Sequence, residues 1–255
     1  VNMDRNSPEF LIEETNQSLA DTKVWLDTSA QFGPLVKPII TPRFVPSCTS
    51  ELMTGLAKLA KEYDVPVQSH LSENHGEIDW VASLHPESSN YTDVYYEHHL
   101  MGTVPTVMAH CIHLSDVEMD RMAETQTMVS HCPYSNVNLS SGIAPIRKLI
   151  ERNIPIGLGS DISGGHIVSM AKVLTEAIGL SKMKWAEVDP NYAPLTLSEA
   201  FYMATKGGGQ FFGHVGSFEK GYELDALIID DTSLFDPNER SLEERLERWL
   251  YVGDD

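Results

Sequence analysis

Short apolar runs alternate along this chain with segments of helical periodicity. Between two of these runs, Leu52, Leu56 and Leu59 recur at the spacing of one helical face. A repeated order of strand, loop and helix is typical of parallel α/β structure. The five predicted strands are 38–44, 65–70, 106–110, 127–133 and 154–161.

The predicted helices have recognisable starts. Ser115 with Glu118, Thr196 with Glu199, and Ser241 with Glu244 have the spacing of capping boxes. Further helices are expected over 15–26, 50–62, 143–150 and 167–182, and one begins near Glu77. Beyond Trp185 the rhythm changes, and 216–230 is predicted to form a hairpin that returns to a small sheet.

The composition argues against several classes of function. The 255 residues include 18 basic and 37 acidic side chains, for a net charge of −19. Such a chain repels nucleic-acid backbones, so nucleic acid is not an expected partner. No apolar run has the length of a membrane span. The three cysteines, Cys48, Cys111 and Cys132, form no C-x-x-C pair, which favours reduced thiols and a cytoplasmic protein.

Ionisable side chains stand at the ends of the predicted strands. They are Arg43, His70, His110, His131 and Asp161. The carboxyl ends of parallel strands open on one face, where such folds build their active sites. Two histidines and an aspartate suit zinc, and Glu73, three residues after His70, is a candidate general acid or base. For His131 a structural and a supporting role both remain open.

Several motifs together resemble the amidohydrolase superfamily, and within it the guanine deaminase family. They are Gln68-Ser-His-Leu-Ser-Glu-Asn, Val107-Met-Ala-His-Cys, Ser130-His-Cys-Pro-Tyr-Ser-Asn, Gly157-Leu-Gly-Ser-Asp161, Thr41-Pro-Arg-Phe44 and Gly164-Gly165. Ala204-Thr-Lys-Gly-Gly and the segment 216–226 resemble the return to a small β-sandwich. The resemblance implies zinc-dependent hydrolytic deamination of guanine to xanthine and ammonia.

The resemblance also implies roles for individual residues. His70 and Asp161 resemble zinc ligands, and Asp161 also takes a proton from the attacking water. His110 resembles the histidine that orients the hydroxide. Glu73 resembles the acid that protonates the purine ring nitrogen. Arg43 and Phe44 resemble the pair that recognises the base. The implied substrate-binding set is therefore Arg43, Phe44, His70, His110 and Asp161, and the catalytic set is Glu73, His110 and Asp161.

One family feature is missing. The first strand of the superfamily carries an H-x-H motif that supplies two zinc ligands, and this chain has none. We therefore expect a truncated sequence holding strands four to eight of a TIM-like (β/α)8 barrel over 1–210 and part of a β-sandwich with a terminal helix over 211–255. We expect the isolated chain to bind zinc poorly and to be inactive.

Other interpretations remain open. The chain could come from a sister amidohydrolase that deaminates or dechlorinates another heterocycle, or from a non-catalytic scaffold. A purine as small-molecule partner and a homodimer are what the resemblance implies. The other histidines are expected at the surface or in loops; they are His75, His85, His98, His99, His113, His166 and His214.

Overall fold

The structure is a computed structural model that describes residues 1–234 and 236–253. The chain divides into two compact units. The first comprises residues 1–129 and 149–155, and the second comprises residues 130–148 and the chain from residue 156 on. Phe235, Asp254 and Asp255, which belong to the predicted 211–255 segment, lie outside the described residues.

The first unit contains most of the predicted strand–helix repeats. Its elements are α1 (Thr15–Ser29), α2 (Ser50–Tyr63), β1 (Val67–Leu71), α3 (His75–Leu84), α4 (Tyr91–Glu97), β2 (Thr106–His110), α5 (Asp116–Glu124) and the start of β3 (Met128–His131), with 3-10 turns at Glu9–Leu11, Ala30–Phe32 and Val45–Ser47. β1 and β2 pair in parallel, with His70 opposite Ala109 and Leu71 opposite His110.

The second unit begins within β3. It contains α6 (Pro133–Asn138), the first residues of α7 (Ile146–Glu151), β4 (Ile156–Leu158), α8 (Met170–Met183), α9 (Leu197–Tyr202) and α10 (Leu242–Val252), with π-helical turns at Lys184–Val188 and Met203–Gly207 and a 3-10 turn at Gln210–Phe212. In the described residues the strand order of the sheet is β1-β2-β3-β4. The α/β class with a parallel sheet is thus confirmed, and part of a barrel is seen.

The packing of α2 follows from its sequence. Thr49 caps its first turn by accepting the amide of Leu52, and the helix ends at Asp64 in a left-handed conformation. Its apolar face buries Leu52 and Leu56 completely. Gly55 lets α1 approach, because a Cβ atom there would lie 2.5 Å from Cδ1 of Leu19. The helical spacing of leucines therefore predicted both the helix and its buried side.

Several sequence predictions need correction. Residues 38–44 form only isolated bridges, Asn2 to Pro42 and Ile40 to Val67, since Pro38 and Pro42 lack the amides of a regular ladder. Within the described part of 216–230 no strand forms, and this segment is largely exposed. The sequence reading also missed α6, which begins at a proline.

His85 lies in the loop after α3, as expected, but it is not at the surface. Its side chain is buried at the end of α3, 3.4 Å from Nη2 of Arg5 and 3.3 Å from a carboxylate oxygen of Glu87. Burial lowers the pKa of this imidazole. No helix in the described ranges is long and apolar enough to cross a membrane.

A bidentate ion pair ties α7 to α9 in the second unit. The guanidinium of Arg147 donates to both carboxylate oxygens of Glu199, at 2.7 and 2.9 Å, and also to the carbonyls of Ala193 and Pro194. These bonds to Arg147 lower the pKa of Glu199 to about 2. Because the folded-state pKa is depressed, the stabilisation is present above the unfolded pKa and is lost as pH falls.

We expect Arg147→Ala to lower the free energy of unfolding by about 2 kcal/mol, because it removes several charge-assisted hydrogen bonds. Urea titration measures the loss. The difference in the free energy of unfolding between the variant and the wild type should be largest near neutral pH. It should shrink as pH falls from about 4.5 towards about 2.

Arg152→Ala is the matched control. Its partners Asp116 and Asp120 are 69% and 71% exposed. Surface pairs of this kind contribute less than about 1 kcal/mol. Equal losses in the two variants would contradict the assignment of Arg147 as a structural anchor.

Candidate active site

The ends of β1 and β2 are fixed to each other beyond their regular pairing. The amide of Cys111 donates to the carbonyl of Leu71, and the amides of Ile112 and His113 donate to the carbonyl of Ser72. Ser72, His110 and Cys111 all have positive φ, at 49°, 70° and 52°. Residues other than glycine adopt this conformation rarely. The left-handed turns therefore bend both strand ends at the point where the predicted site residues lie.

This arrangement brings Glu73 next to His110. Oε2 of Glu73 lies 3.7 Å from Nε2 of His110, too long for a hydrogen bond but within reach of an ion pair. The side chain of Glu73 is 17% exposed and that of His110 is 2% exposed. The rings of His70 and His110 stack with centroids 5.4 Å apart. Three of the predicted residues thus form one cluster.

The orientation of His70 is set by the backbone of Arg43. Nδ1 of His70 lies 2.6 Å from the carbonyl oxygen of Arg43. A carbonyl oxygen can only accept, so Nδ1 carries the proton and Nε2 is the basic nitrogen of the neutral ring. This tautomer is the one that metal-binding histidines usually adopt through a backbone or carboxylate partner.

The side chains of Arg43 and Phe44 form a cation–π pair. The exposed guanidinium of Arg43 lies over the ring of Phe44, 5.5 Å from its centroid. Trp80 of α3 packs edge-on against Phe44, with centroids 6.4 Å apart. The sequence reading predicted the first two residues and missed Trp80. Its only local signal was an aromatic residue close to the predicted helix start near Glu77.

Asp161 lies in the second unit, three residues beyond β4. It is half-buried, with φ at 45°. Its carbonyl accepts the amide of Gly165 at 2.6 Å, which closes a tight turn. A Cβ atom at Gly164 would lie 2.8 Å from Oδ2 of Asp161, and one at Gly165 would overlap the carbonyl oxygen of Ser160. The two glycines therefore permit the turn that carries Asp161.

His131 is buried at the end of β3, also in the second unit. Its carbonyl accepts the amide of Gly159 at 2.9 Å. A Cβ atom on Gly159 would lie 2.6 Å from Oγ of Ser130 and 2.9 Å from Sγ of Cys132. Close approach of β3 and β4 thus accounts for this glycine.

The donor set fits zinc by type and falls short by number. No group of three or more His, Cys, Asp or Glu side chains meets at a potential metal site in residues 1–234 and 236–253. The predicted ligands His70 and Asp161 belong to different units. Catalytic zinc takes three protein ligands and keeps one position open.

Sequence reasoning missed four polar residues behind the cluster. They are Ser69, Glu77, Tyr91 and Tyr95, all buried. Asn74 and Glu77 have capping-box spacing, and both are engaged in a capping box at the start of α3. That spacing and the two tyrosines four residues apart were available signals.

The first unit thus groups ionisable side chains at the carboxyl ends of parallel strands, the arrangement of α/β enzymes. A profile of the Amidohydrolase family matches residues 2–250. The chain belongs to the amidohydrolase family.

Its relatives include guanine deaminases. The guanine deaminase of Dictyostelium discoideum is 46% identical to this chain. The match spans 100% of this chain and 58% of the length of that relative. The crystal structure of the guanine deaminase from C. acetobutylicum, with guanine bound in its active site, is 52% identical with a TM-score of 0.96. The match spans 99% of this chain and 60% of the chain in that crystal structure. The protein therefore spans about three fifths of the length of these relatives.

A more distant likeness concerns the fold alone. The atrazine chlorohydrolase of Arthrobacter aurescens, solved with zinc, is 20% identical with a TM-score of 0.75. It covers 87% of this chain, and this chain covers 50% of it.

We expect Gly165→Ala to lower the free energy of unfolding by about 1–3 kcal/mol, because the added methyl group forces the turn at Asp161 to open. Chemical denaturation measures the change. Gly179→Ala is the control, because a Cβ atom in this part of α8 meets nothing within 4 Å. That variant should be neutral or more stable by up to about 1 kcal/mol. Equal stability of Gly165→Ala and the wild type would refute the close approach.

Proposed function

We propose that this protein, at the length of its relatives, is a guanine deaminase that hydrolyses guanine to xanthine and ammonia. The observation that carries the proposal is the cluster of Glu73, His70 and His110 at the ends of β1 and β2. The likeness to a guanine deaminase with bound guanine, at 52% identity, supports guanine as the substrate.

In this proposal His70 and Asp161 would each contribute a ligand to a zinc ion whose other ligands these residues do not supply. Bound zinc would lower the pKa of water to about 7 and so supply hydroxide near neutral pH. The Nε2-basic tautomer of His70 supports this assignment, and the family membership favours a metal.

Side chains of this protein then transfer the protons. Glu73 donates a proton to the ring nitrogen next to the amino-bearing carbon, which makes that carbon electrophilic. His110, beside Glu73, orients the attacking oxygen, and Asp161 accepts the proton that this oxygen loses. Collapse of the adduct breaks the C–N bond, and the amino group takes the proton from Asp161 and leaves as ammonia. The ring nitrogen keeps the proton from Glu73, and the second proton of the attacking water restores Glu73 to its acid form. The short separation of Glu73 and His110 supports both roles.

Arg43, Phe44 and Trp80 recognise the base. The planar guanidinium of Arg43 offers donors to a fixed carbonyl oxygen. The ring of Phe44, held edge-on by Trp80, can pack against a flat heterocycle. These side chains distinguish guanine from heterocycles that lack a carbonyl group at the corresponding position.

Two alternatives remain, and the second of them belongs to another class of function. A sister amidohydrolase would keep the proton chemistry and act on another heterocycle, as the atrazine chlorohydrolase does on a triazine. A non-catalytic scaffold would have no need of Glu73 beside His110. Faster turnover of another heterocycle than of guanine would favour the first alternative. The absence of any turnover in zinc-loaded protein would favour the second.

The proposal includes the larger architecture. Residues 1–210 would form part of a (β/α)8 barrel and 211–255 part of a β-sandwich, in a cytoplasmic homodimer. The exposed apolar side chains of Leu224, Leu227 and Ile228 support further strands that cover this segment. Since His70 and Asp161 alone are too few for catalytic zinc, the isolated chain would bind zinc weakly and be inactive.

We expect Glu73→Gln to reduce kcat for guanine by about a hundredfold to ten-thousandfold, because the amide cannot donate the catalytic proton. Ammonia release and metal analysis, on protein expressed from its complete gene and loaded with zinc, measure the effect. Zinc content should stay unchanged.

Glu62→Gln, at an exposed position of α2, is the control and should retain full activity. Near-normal turnover of Glu73→Gln would rule out the role of Glu73. A wild type that releases no ammonia from guanine would rule out the function itself.

We expect Arg43→Ala to raise KM for guanine by about tenfold to a hundredfold, the loss from removing one charged hydrogen-bonding partner. Arg43→Lys should recover only part, because a lysine cannot reproduce the planar fork. Steady-state kinetics with zinc analysis tests both variants. Unchanged KM in Arg43→Ala would show that this side chain does not bind the base.

A further inference from the structure

We infer that Glu77, with Tyr91 and Tyr95, forms a buried hydrogen-bonded support that positions Glu73 and His70 for the reaction. None of these three side chains belongs to the cluster described above. They are 7%, 3% and 0% exposed. The inference rests on the proposed function and adds positioning residues to it.

Glu77 holds the loop that carries Glu73. Its Oε2 accepts the amide of Glu73 at 3.0 Å and that of Asn74 at 3.4 Å. The side chain of Asn74 in turn accepts the amide of Glu77 at 2.9 Å. This capping box differs from that of Ser241 and Glu244, which lies at an exposed helix start. Here the carboxylate is buried and bonds directly to the backbone of a proposed catalytic residue.

Tyr91 connects Glu77 to β1. Its hydroxyl donates to Oε1 of Glu77 at 2.6 Å and lies 3.4 Å from the carbonyl oxygen of His70. The hydroxyl of Tyr95 donates to the same carbonyl at 2.8 Å. The two rings stack, with centroids 5.6 Å apart, on successive turns of α4. One helix therefore supports both the backbone of His70 and the carboxylate behind Glu73.

Ser69 extends the support to Arg43. Its Oγ lies 2.7 Å from the hydroxyl of Tyr95 and within hydrogen-bond distance of the carbonyls of Pro42 and Arg43, at 2.8 and 3.2 Å. The carbonyl of Arg43 is also the acceptor for Nδ1 of His70. A series of polar contacts thus runs from the amide of Glu73 to the residue that orients the imidazole of His70.

Burial keeps the two tyrosines of this support protonated. It raises the pKa of Tyr91 well above its ordinary value and raises that of Tyr95, so both hydroxyls remain donors. Burial also raises the pKa of Glu77, against the hydrogen bonds from Tyr91 and from the amides of Glu73 and Asn74. Burying a carboxyl group is costly unless its oxygens are bonded, and here both are.

The support acts through other residues, so its members are positioning residues. Displacement of a catalytic group by about 1 Å can reduce turnover about a hundredfold. We expect Glu77→Ala to lower kcat for guanine by about tenfold to a hundredfold, with KM and zinc content nearly unchanged. Glu77→Gln should recover most of the rate, because its amide oxygen still accepts from the backbone of Glu73.

A second variant removes a single oxygen atom. Tyr91→Phe should lower kcat by about threefold to tenfold, within the range of one hydrogen bond. Tyr96→Phe, from the same helix, is the matched control. The exposed ring of Tyr96 lies against the guanidinium of Arg121, with the ring centroid 4.0 Å from Cζ. Loss of the Tyr96 hydroxyl should leave the kinetics unchanged.

Two readouts separate positioning from general destabilisation. In a Glu73→Gln background, Glu77→Ala should cause a smaller loss of kcat than in the wild type, since one of the two residues that the support positions is already disabled. Hydrogen exchange at the amide of Glu73 should be faster in Glu77→Ala and in Tyr91→Phe than in the wild type, with Tyr96→Phe unchanged. The second readout does not require activity.

The outcomes distinguish the two proposals. Wild-type kinetics and unchanged exchange in Glu77→Ala and Tyr91→Phe would overturn the inference, as would a loss of equal size in the Glu73→Gln background. A wild type inactive on guanine would overturn the proposed function, and the exchange measurement would still decide whether Glu77 holds the loop. If Glu77→Ala does not fold, Tyr91→Phe against Tyr96→Phe provides the comparison.

Discussion

The parallel pairing of β1 with β2 is the constraint on which the candidate site of the first unit depends. The register sets Leu71 opposite His110, and hydrogen bonds beyond the ladder join the loop after β1 to the turn after β2. A slip of one residue would turn each side chain to the other face of the sheet. Glu73 approaches His110 because this register and the left-handed turns at both strand ends are fixed together.

Buried polar groups then determine how rigid that arrangement is. The carbonyls of His70 and Arg43 are acceptors in an interior hydrogen-bonded network, and the carboxylate of Glu77 lies behind the loop. Polar groups removed from water destabilise a fold unless they find partners, and a fully bonded network restricts side chains to one geometry. The same interactions that make these groups tolerable in the interior also restrict the proposed proton donor.

Local patterns predicted much of the fold and half of the candidate site. The run ending in His110 coincides with β2, and the capping boxes at Ser115, Thr196 and Ser241 start helices as predicted, because these signals act between near neighbours. The grouping of Glu73, His70 and His110 followed from their places at strand ends.

What the sequence did not predict depends on distant partners. Tyr91 lies 14 residues from Glu77, and nothing local indicates that their side chains meet. The burial of His85 likewise involves Arg5, 80 residues away. The segment 216–230 combines glycines with an apolar run, yet strands need a pairing partner, and within the described residues it has none in regular form.

The most direct measurement is turnover of guanine by the protein expressed from its complete gene and purified with zinc. Loss of guanine is followed by ultraviolet absorbance, with adenine, cytosine and a triazine assayed in parallel. We expect formation of xanthine and ammonia from guanine and no comparable reaction of the other three. Activity on another heterocycle with guanine inert would contradict the assignment of Arg43 and Phe44 as a guanine site, and zinc-loaded protein inactive on all four would contradict the proposed chemistry.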